Sequence, residues 1–235
     1  MTLRLERHGK TRAVLNWYAL HPTSLTSKNT LISSDNKGYA EYLLENQDHG
    51  VDRNVPGSGD GFIAAFANAN AGDVTPNTWL KPGQGPTKDD HQNLKIQGQK
   101  QADAVRTQLK NAGNSVGTGL DSRISYFNFS GMNVDAKYTG TGRAERTCQG
   151  FLGTPFGAGS TEDGGGGWDV YKEGSSRPSI LGTLVFTPSA AQTRCQQPKG
   201  ILFAAKNGTI IQEKFPVQIM RFGDYYLLGM PGEFT

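Results

Sequence analysis

The chain has 235 residues, enough for one large domain or a part of one, and long enough to bury a core without staples. Apolar residues make up 35 % and charged residues 19 %, both below the globular average, while glycine reaches 31 residues; this points away from a helical bundle and toward a loop-rich protein with β-structure. The net charge of +3 is small, and the one basic cluster, Arg4, Arg7, Lys10 and Arg12, is diluted by Glu6 and lacks the aromatic-interleaved stripe of a nucleic-acid binder, so no nucleic-acid partner is expected.

In chain order, Thr11 to Leu20 (TRAVLNWYAL) is short, nearly continuous in apolar residues and rich in strand formers, which predicts a buried strand. It delivers His21 at its C-terminal end, where Pro22 stops the pairing. Asp35 or Asn36 can cap a short helix carrying Tyr39, Tyr42 and Leu43. The run HGVDRNVPGSGDG is a surface loop. Gly61 to Asn70 (GFIAAFANAN) predicts a second buried strand, running into the polar turn Gly72 to Asn77. His91 to Asn111 is the best helix candidate, with Leu94, Ala102, Val105 and Leu109 on one face, Gln and Lys on the other, and Gly113 at the stop.

Ser122 to Phe129 predicts a strand, Gly157 to Trp168 a loop, and Pro178 to Phe186 a short helix. The last third reads as a meander. Ile201 to Ala205 and Thr209 to Glu213 flank an Asn207-Gly208 turn, and Val217 to Phe222 and Tyr225 to Leu228 flank Gly223-Asp224. No internal repeat and no dividing linker is seen. The fold class is α/β or α+β with a mixed sheet.

Three polar residues, His21, Thr75 and Glu233, fall at the ends of predicted buried strands, where sheet proteins gather their sites. Singly, each has an ordinary reading: a hydrogen-bonded surface histidine, a turn threonine, a solvated glutamate. No HExxH, GxSxG or P-loop is present, and the glycines 164 to 167 lack the Lys-Ser/Thr of a phosphate loop. No stretch approaches the ~20 apolar residues of a membrane span, and the first ten residues have no apolar signal core. Cys148 and Cys195 fit one disulfide or two buried thiols. The sequons Asn128-Phe-Ser130 and Asn207-Gly-Thr209 carry little weight, since such tripeptides are common by chance.

Longer motifs are more specific. The segment NWYALHPTSL at 16–25, followed by NTLISSDNKGYA at 29–40, resembles a stretch of the neutral ceramidases, and FANANAGDVTPN at 66–77 resembles the active-site segment of that family. AGSTEDG at 158–164 and PGEFT at 231–235 match two further family segments, in the right order. The resemblance covers the chain from near residue 10 to its end and identifies 1–235 as the central part of a catalytic domain.

The resemblance implies a secreted, zinc-dependent amidase that cleaves the N-acyl bond of ceramide, with the lipid as substrate and a membrane surface as a further contact. It assigns His21 and Glu233 as Zn²⁺ ligands, a donor set of imidazole and carboxylate that suits this metal. The family's other two ligands, a histidine upstream and a tyrosine downstream, and its export signal are expected outside this chain. His8, His49 and His91 match none of them. Thr75 stands where the family usually has serine, and its hydroxyl would act as nucleophile or contact the oxyanion. The family's cysteine pair implies a Cys148–Cys195 disulfide. The competing reading is a catalytically inactive lipid-binding or interaction module that keeps the fold. A carbohydrate-binding module fits the composition but explains none of the motifs.

Overall fold

The computed structural model describes residues 1–111, 113–160, 162, 187–204 and 211–232. They form two compact units, one from residues 1–114 with Glu162, the other from 115–160 with the described residues from 187 onward. Both mix helices with open sheets, an α+β fold.

The first unit opens with a hairpin. Strand β1 (Thr2–Arg7) pairs antiparallel with β2 (Lys10–Trp17) across His8 and Gly9, whose φ angles of 53° and 71° suit a two-residue turn between twisted strands. The basic cluster is therefore part of a β-ribbon, with an irregularity at Leu5/Glu6. Helix α1 (Asp35–Tyr42) follows, continued by a π-helical turn, Leu43–Asp48. Ser34 precedes the helix, not Asp35 or Asn36 as expected, because the Asp35 carboxylate is committed elsewhere. The chain then forms β3 (Ile63–Ala67), parallel to β2, from Ala13 opposite Ile63 to Trp17 opposite Ala67. The sheet order β1-β2-β3 is thus mixed, as expected.

Helix α2 (Asp90–Leu109) starts on a capping bond, with Asp89 Oδ1 accepting from the Gln92 N–H at 2.8 Å. Its buried stripe is Asn93, Gln97, Gln101, Ala102 and Val105, so two of the glutamines lie inside, against α1, beside the apolar residues, while Gln92, Lys95, Lys100 and Gln108 are exposed. Gly98 permits the approach: a Cβ there would lie 2.6 Å from the Asn36 carbonyl oxygen. The core joins Val14, Ala64 and Phe66 of the sheet to Ala40, Leu43 and Leu44, and to Ala102 and Val105 of α2. The outer amides of β3 are capped by side chains. Glu45 Oε1 accepts from Ala64 N–H at 2.9 Å and Glu41 Oε1 from Phe66 N–H at 3.2 Å, while Arg53 pairs with both carboxylates. Covering an edge this way blunts its tendency to pair with another chain.

The second unit is built on an antiparallel sheet. Strand β4 (Leu120–Asn128) pairs along its length with β9 (Lys214–Phe222), which turns at Gly223-Asp224 into β10 (Tyr225–Gly229), as the turn residues predicted. Between them lie the short pair β5 (Asn133–Val134) and β6 (Glu145–Arg146), then β7 (Phe151–Gly153) and α3 (Thr154–Ala158). Pro155 in the first turn of α3 starts a helix where Gly157 and Ala158 were read as loop. Helix α4 (Ala190–Gln196) carries a capping box on Ser189 and Gln192, and β8 (Ile201–Ala204) returns to pair with β7. The expected partner of β8, the strand from Thr209, and the Asn207-Gly208 turn lie wholly or mostly outside the described residues, as does the helix at 178–186. Glu213 lies outside any strand, and its carboxylate accepts from Gly150 N–H at 2.9 Å. A disulfide joins Cys148 to Cys195, with Cα atoms 5.8 Å apart. Among the described residues no helix is long and apolar enough to cross a membrane.

Candidate functional site

Strands β2 and β3 end side by side, and the segments leaving them stay together. Tyr18 N–H donates to the Ala67 carbonyl at 3.2 Å and Ala69 N–H to the Tyr18 carbonyl at 3.4 Å. Leu20 N–H then donates to Asn68 Oδ1 at 3.4 Å. His21 lies four residues beyond the end of β2, and its N–H reaches the Val74 carbonyl at 3.1 Å. The His21 ring bonds the same oxygen through Nδ1, at 3.0 Å. A carbonyl only accepts, so Nδ1 carries the hydrogen and the lone pair of a neutral ring falls on Nε2.

The turn that meets His21 is built by its sequence. Gly72 takes φ 48°, which a larger residue adopts at a cost, and Val74 N–H closes on the Ala71 carbonyl at 2.7 Å. Pro76 keeps Thr75 out of the helical region and is itself buried. Thr75 is half-buried, and its Oγ1 accepts from Asn77 N–H at 3.1 Å. Asn77, 1 % exposed, donates Nδ2 to the Thr23 carbonyl at 3.0 Å and to the Glu162 carbonyl at 3.1 Å. One amide thus joins the His21 loop, the Gly72–Asn77 turn and Glu162 of the AGSTEDG segment.

Two further groups hold the loop. Asp35 adopts φ 52°, and its carboxylate accepts from Ser24 N–H at 3.2 Å and Leu25 N–H at 2.8 Å. Non-glycine residues in that region carry strain and persist where the surroundings impose it. Asp90 accepts from the Thr26 N–H at 3.2 Å and from its hydroxyl at 3.0 Å. Burial pushes Asp90 up, but these bonds and the His91 N–H outweigh it and hold its carboxyl below the usual range.

The structure therefore brings His21 and the Thr75 turn together; Glu233 lies outside the described residues. Among the described residues no three His, Cys, Asp or Glu side chains gather as a metal site. His49 pairs with Asp60 and stacks on Phe62. The roles of Asp35, Asn36 and Asn77 were missed, although all three stand inside the motifs: a buried polar side chain that binds backbone has no sequence signature of its own.

The family model for "Neutral/alkaline non-lysosomal ceramidase, N-terminal" matches residues 1–235. The chain is 35 % identical to a neutral ceramidase of Pseudomonas aeruginosa, over 98 % of this chain and 34 % of that protein. It is 36 % identical to one of Mycobacterium tuberculosis, over 99 % and 37 %. Among solved structures, one described as "Ceramidase complexed with C2" superposes with a TM-score of 0.79 at 33 % identity, covering 99 % of this chain and 36 % of the other. The crystal structure of neutral ceramidase from Pseudomonas aeruginosa gives a TM-score of 0.72 at 29 % identity, over 99 % and 34 %. The chain spans about a third of the length of these relatives.

Proposed function

Because the chain belongs to the neutral/alkaline non-lysosomal ceramidase family, we propose that it carries part of a zinc amidase site that hydrolyses the N-acyl bond of ceramide to sphingosine and a fatty acid. The observation that carries this reading is the convergence at Asn77: three of the four family-like segments meet there, and His21 bonds the residue next to Thr75. We assign His21 and Glu233 to the metal and Thr75 to the scissile carbonyl. The donor chemistry of His21 fits zinc: metal-binding histidines commonly give their other N–H to a backbone carbonyl, which fixes the ring and its tautomer, and Val74 offers such a carbonyl. When bound, zinc would polarise the substrate carbonyl and lower the pKa of a water to about 7.

The remaining chemistry belongs to this chain. The Asn77 N–H fixes the Thr75 hydroxyl rotamer and stabilises its oxygen as the proton leaves or as negative charge develops beside it. That serves a nucleophile and an oxyanion contact alike. The Cys148–Cys195 disulfide supports a secreted protein, since such bonds persist in oxidising compartments. A membrane surface is the natural place for so apolar a substrate. One observation favours the second reading, an inactive lipid-binding module: the Asn77 N–H bond is also what an ordinary turn threonine makes.

Thr75→Ala in the full-length protein separates the two. On the amidase reading, ceramide hydrolysis falls about a hundredfold or more with zinc content unchanged, and Thr75→Ser keeps or raises activity. Equal hydrolysis by Thr75→Ala and the parent would leave Thr75 a turn residue.

A further inference from the structure

The ends of β2 and β3 are gripped by a buried polar chain that runs through both helices. Lys37, 7 % exposed, donates Nζ to the Tyr18 carbonyl at 3.0 Å, the Ala67 carbonyl at 3.5 Å and Gln101 Oε1 at 3.3 Å. Tyr18, one residue past β2, bonds the Ala67 carbonyl where the parallel pair ends, so one ammonium holds both strand ends at once. Gln101 passes the chain on, donating Nε2 to Asn36 Oδ1 at 3.0 Å. Asn36, fully buried, donates Nδ2 to the His21 carbonyl and to Ser24 Oγ, both at 3.1 Å. The hydrogen bonds are continuous from both strand ends through α1 and α2 to His21.

We propose that Asn36, Lys37 and Gln101 are positioning residues that clamp the ends of β2 and β3 to the two helices and so hold His21 and the Gly72–Asn77 turn in one orientation. The catalytic consequence rests on the reading of His21 and Thr75 given above; the geometry does not. Apolar side chains of the same length would fill this space without desolvating an ammonium, at the cost of the Gln101 donor to the buried Asn36 Oδ1. They would leave the strand-end carbonyls and the His21 loop without their common anchor. A buried ammonium that donates to both strand ends and to Gln101 is what a positioning role predicts and a packing role does not; burial lowers the pKa of this lysine to about 8, against the opposing influence of Glu41. A small misplacement of a site residue lowers the reaction rate more than it lowers substrate binding.

The test is the double variant Lys37→Met/Gln101→Met in the full-length protein, read by amide hydrogen exchange and by ceramide hydrolysis. Exchange at His21 and Leu25 should speed up about tenfold or more, while the Ala102 and Val105 amides of α2 stay protected. Turnover should fall about tenfold with KM little changed. Gln101→Glu keeps an oxygen for Lys37 but loses the donor to Asn36, and should give a smaller loss of the same kind. Unchanged exchange at His21 and Leu25 overturns the clamp. So does lost protection throughout α2, which would make the trio part of the folding core. Faster exchange at His21 with full turnover keeps the clamp and sinks the assignment of His21 to the reaction.

Discussion

The two units solve the same problem, ordering a small open sheet, by different means. The first covers its sheet with α1 and α2 and buries a contiguous apolar cluster around Val14, Phe62 and Val105. It also buries Asn36, Asn77, Asn93 and Gln101, each bonded to backbone or to another side chain. In the second, β4 is exposed along its whole length. Alternation puts Leu120, Ile124 and Tyr126 on one face and Phe127 on the other, with Ile219 and Leu228 beside it, and all six are exposed. Among its described residues Ile201 and Leu202 are buried, and backbone ladders and one covalent staple carry the rest of its order. A unit with a contiguous core can hold loops at fixed places and carries the candidate site; a unit whose described sheet faces are so exposed depends more heavily on its ladders and its disulfide.

The largest expected effect follows from that dependence. The disulfide closes a separation of 47 residues, for which the chain-entropy model gives about 3–4 kcal/mol of stabilisation. Replacing Cys148 and Cys195 by serine should therefore remove protection from β7, β8 and α4 in hydrogen exchange, while the amides of β2 and β3 stay slow. Equal loss in both units would end the contrast drawn between them.

How much of this was legible differs by element. The β9–β10 hairpin was, because Gly223-Asp224 between two apolar runs is a local signal. So was α2, from its apolar spacing; the meeting of His21 with the Gly72–Asn77 turn was implied by the family resemblance, which placed both in one site, and by no local pattern. The first strand was not. Its alternation of Leu3 and Leu5 with Arg4 and Glu6 is a strand pattern, but its charges drew attention first, and histidine at φ 53° is an unusual turn residue. The inward place of Gln97 and Gln101 was not legible, because polarity normally means solvent; only the facing Asn36 and Lys37, distant in sequence, make it an interior. The site's supports are tertiary facts, and no local pattern announces them.

A second, somewhat smaller effect probes the helix interface of the first unit. At Gly98 an added methyl group would meet the Asn36 carbonyl oxygen at 2.6 Å and Tyr39 Cδ1 at 2.9 Å. The oxygen is backbone and moves only with α1. Gly98→Ala gains helix propensity of about 1 kcal/mol, but overpacking against backbone costs up to about 3 kcal/mol, so it should still lose about 2 kcal/mol overall. Chemical denaturation checks the sum, and exchange at Ser24 and Leu25 should rise with it because Asp35 moves with the helix. A stabilised Gly98→Ala would mean that α1 and α2 can separate freely, and the polar interface could then not be the rigid part of the molecule.

The smallest effect is a pH dependence of the first unit, and its sign is fixed by Lys37. Burial lowers this lysine from 10.5 to about 8, although Glu41 opposes the shift. Between those values the unfolded chain keeps the proton and the folded chain releases it, so the unfolded state binds more protons and stability rises with pH. Below pH 8 both states are protonated at this site, and the folded state carries the full cost of the buried charge. The gain from pH 8 to pH 10 should be about 2 kcal/mol, read as the opening free energy of α2 amides in hydrogen exchange. Lys37→Met should flatten the rise while leaving the second unit's profile as it was. A rise that survives in Lys37→Met would have to come from another group, and the buried ammonium would then cost the fold nothing. In that case the three carbonyl oxygens around it compensate its desolvation completely, and the clamp would be a source of stability as well as of position.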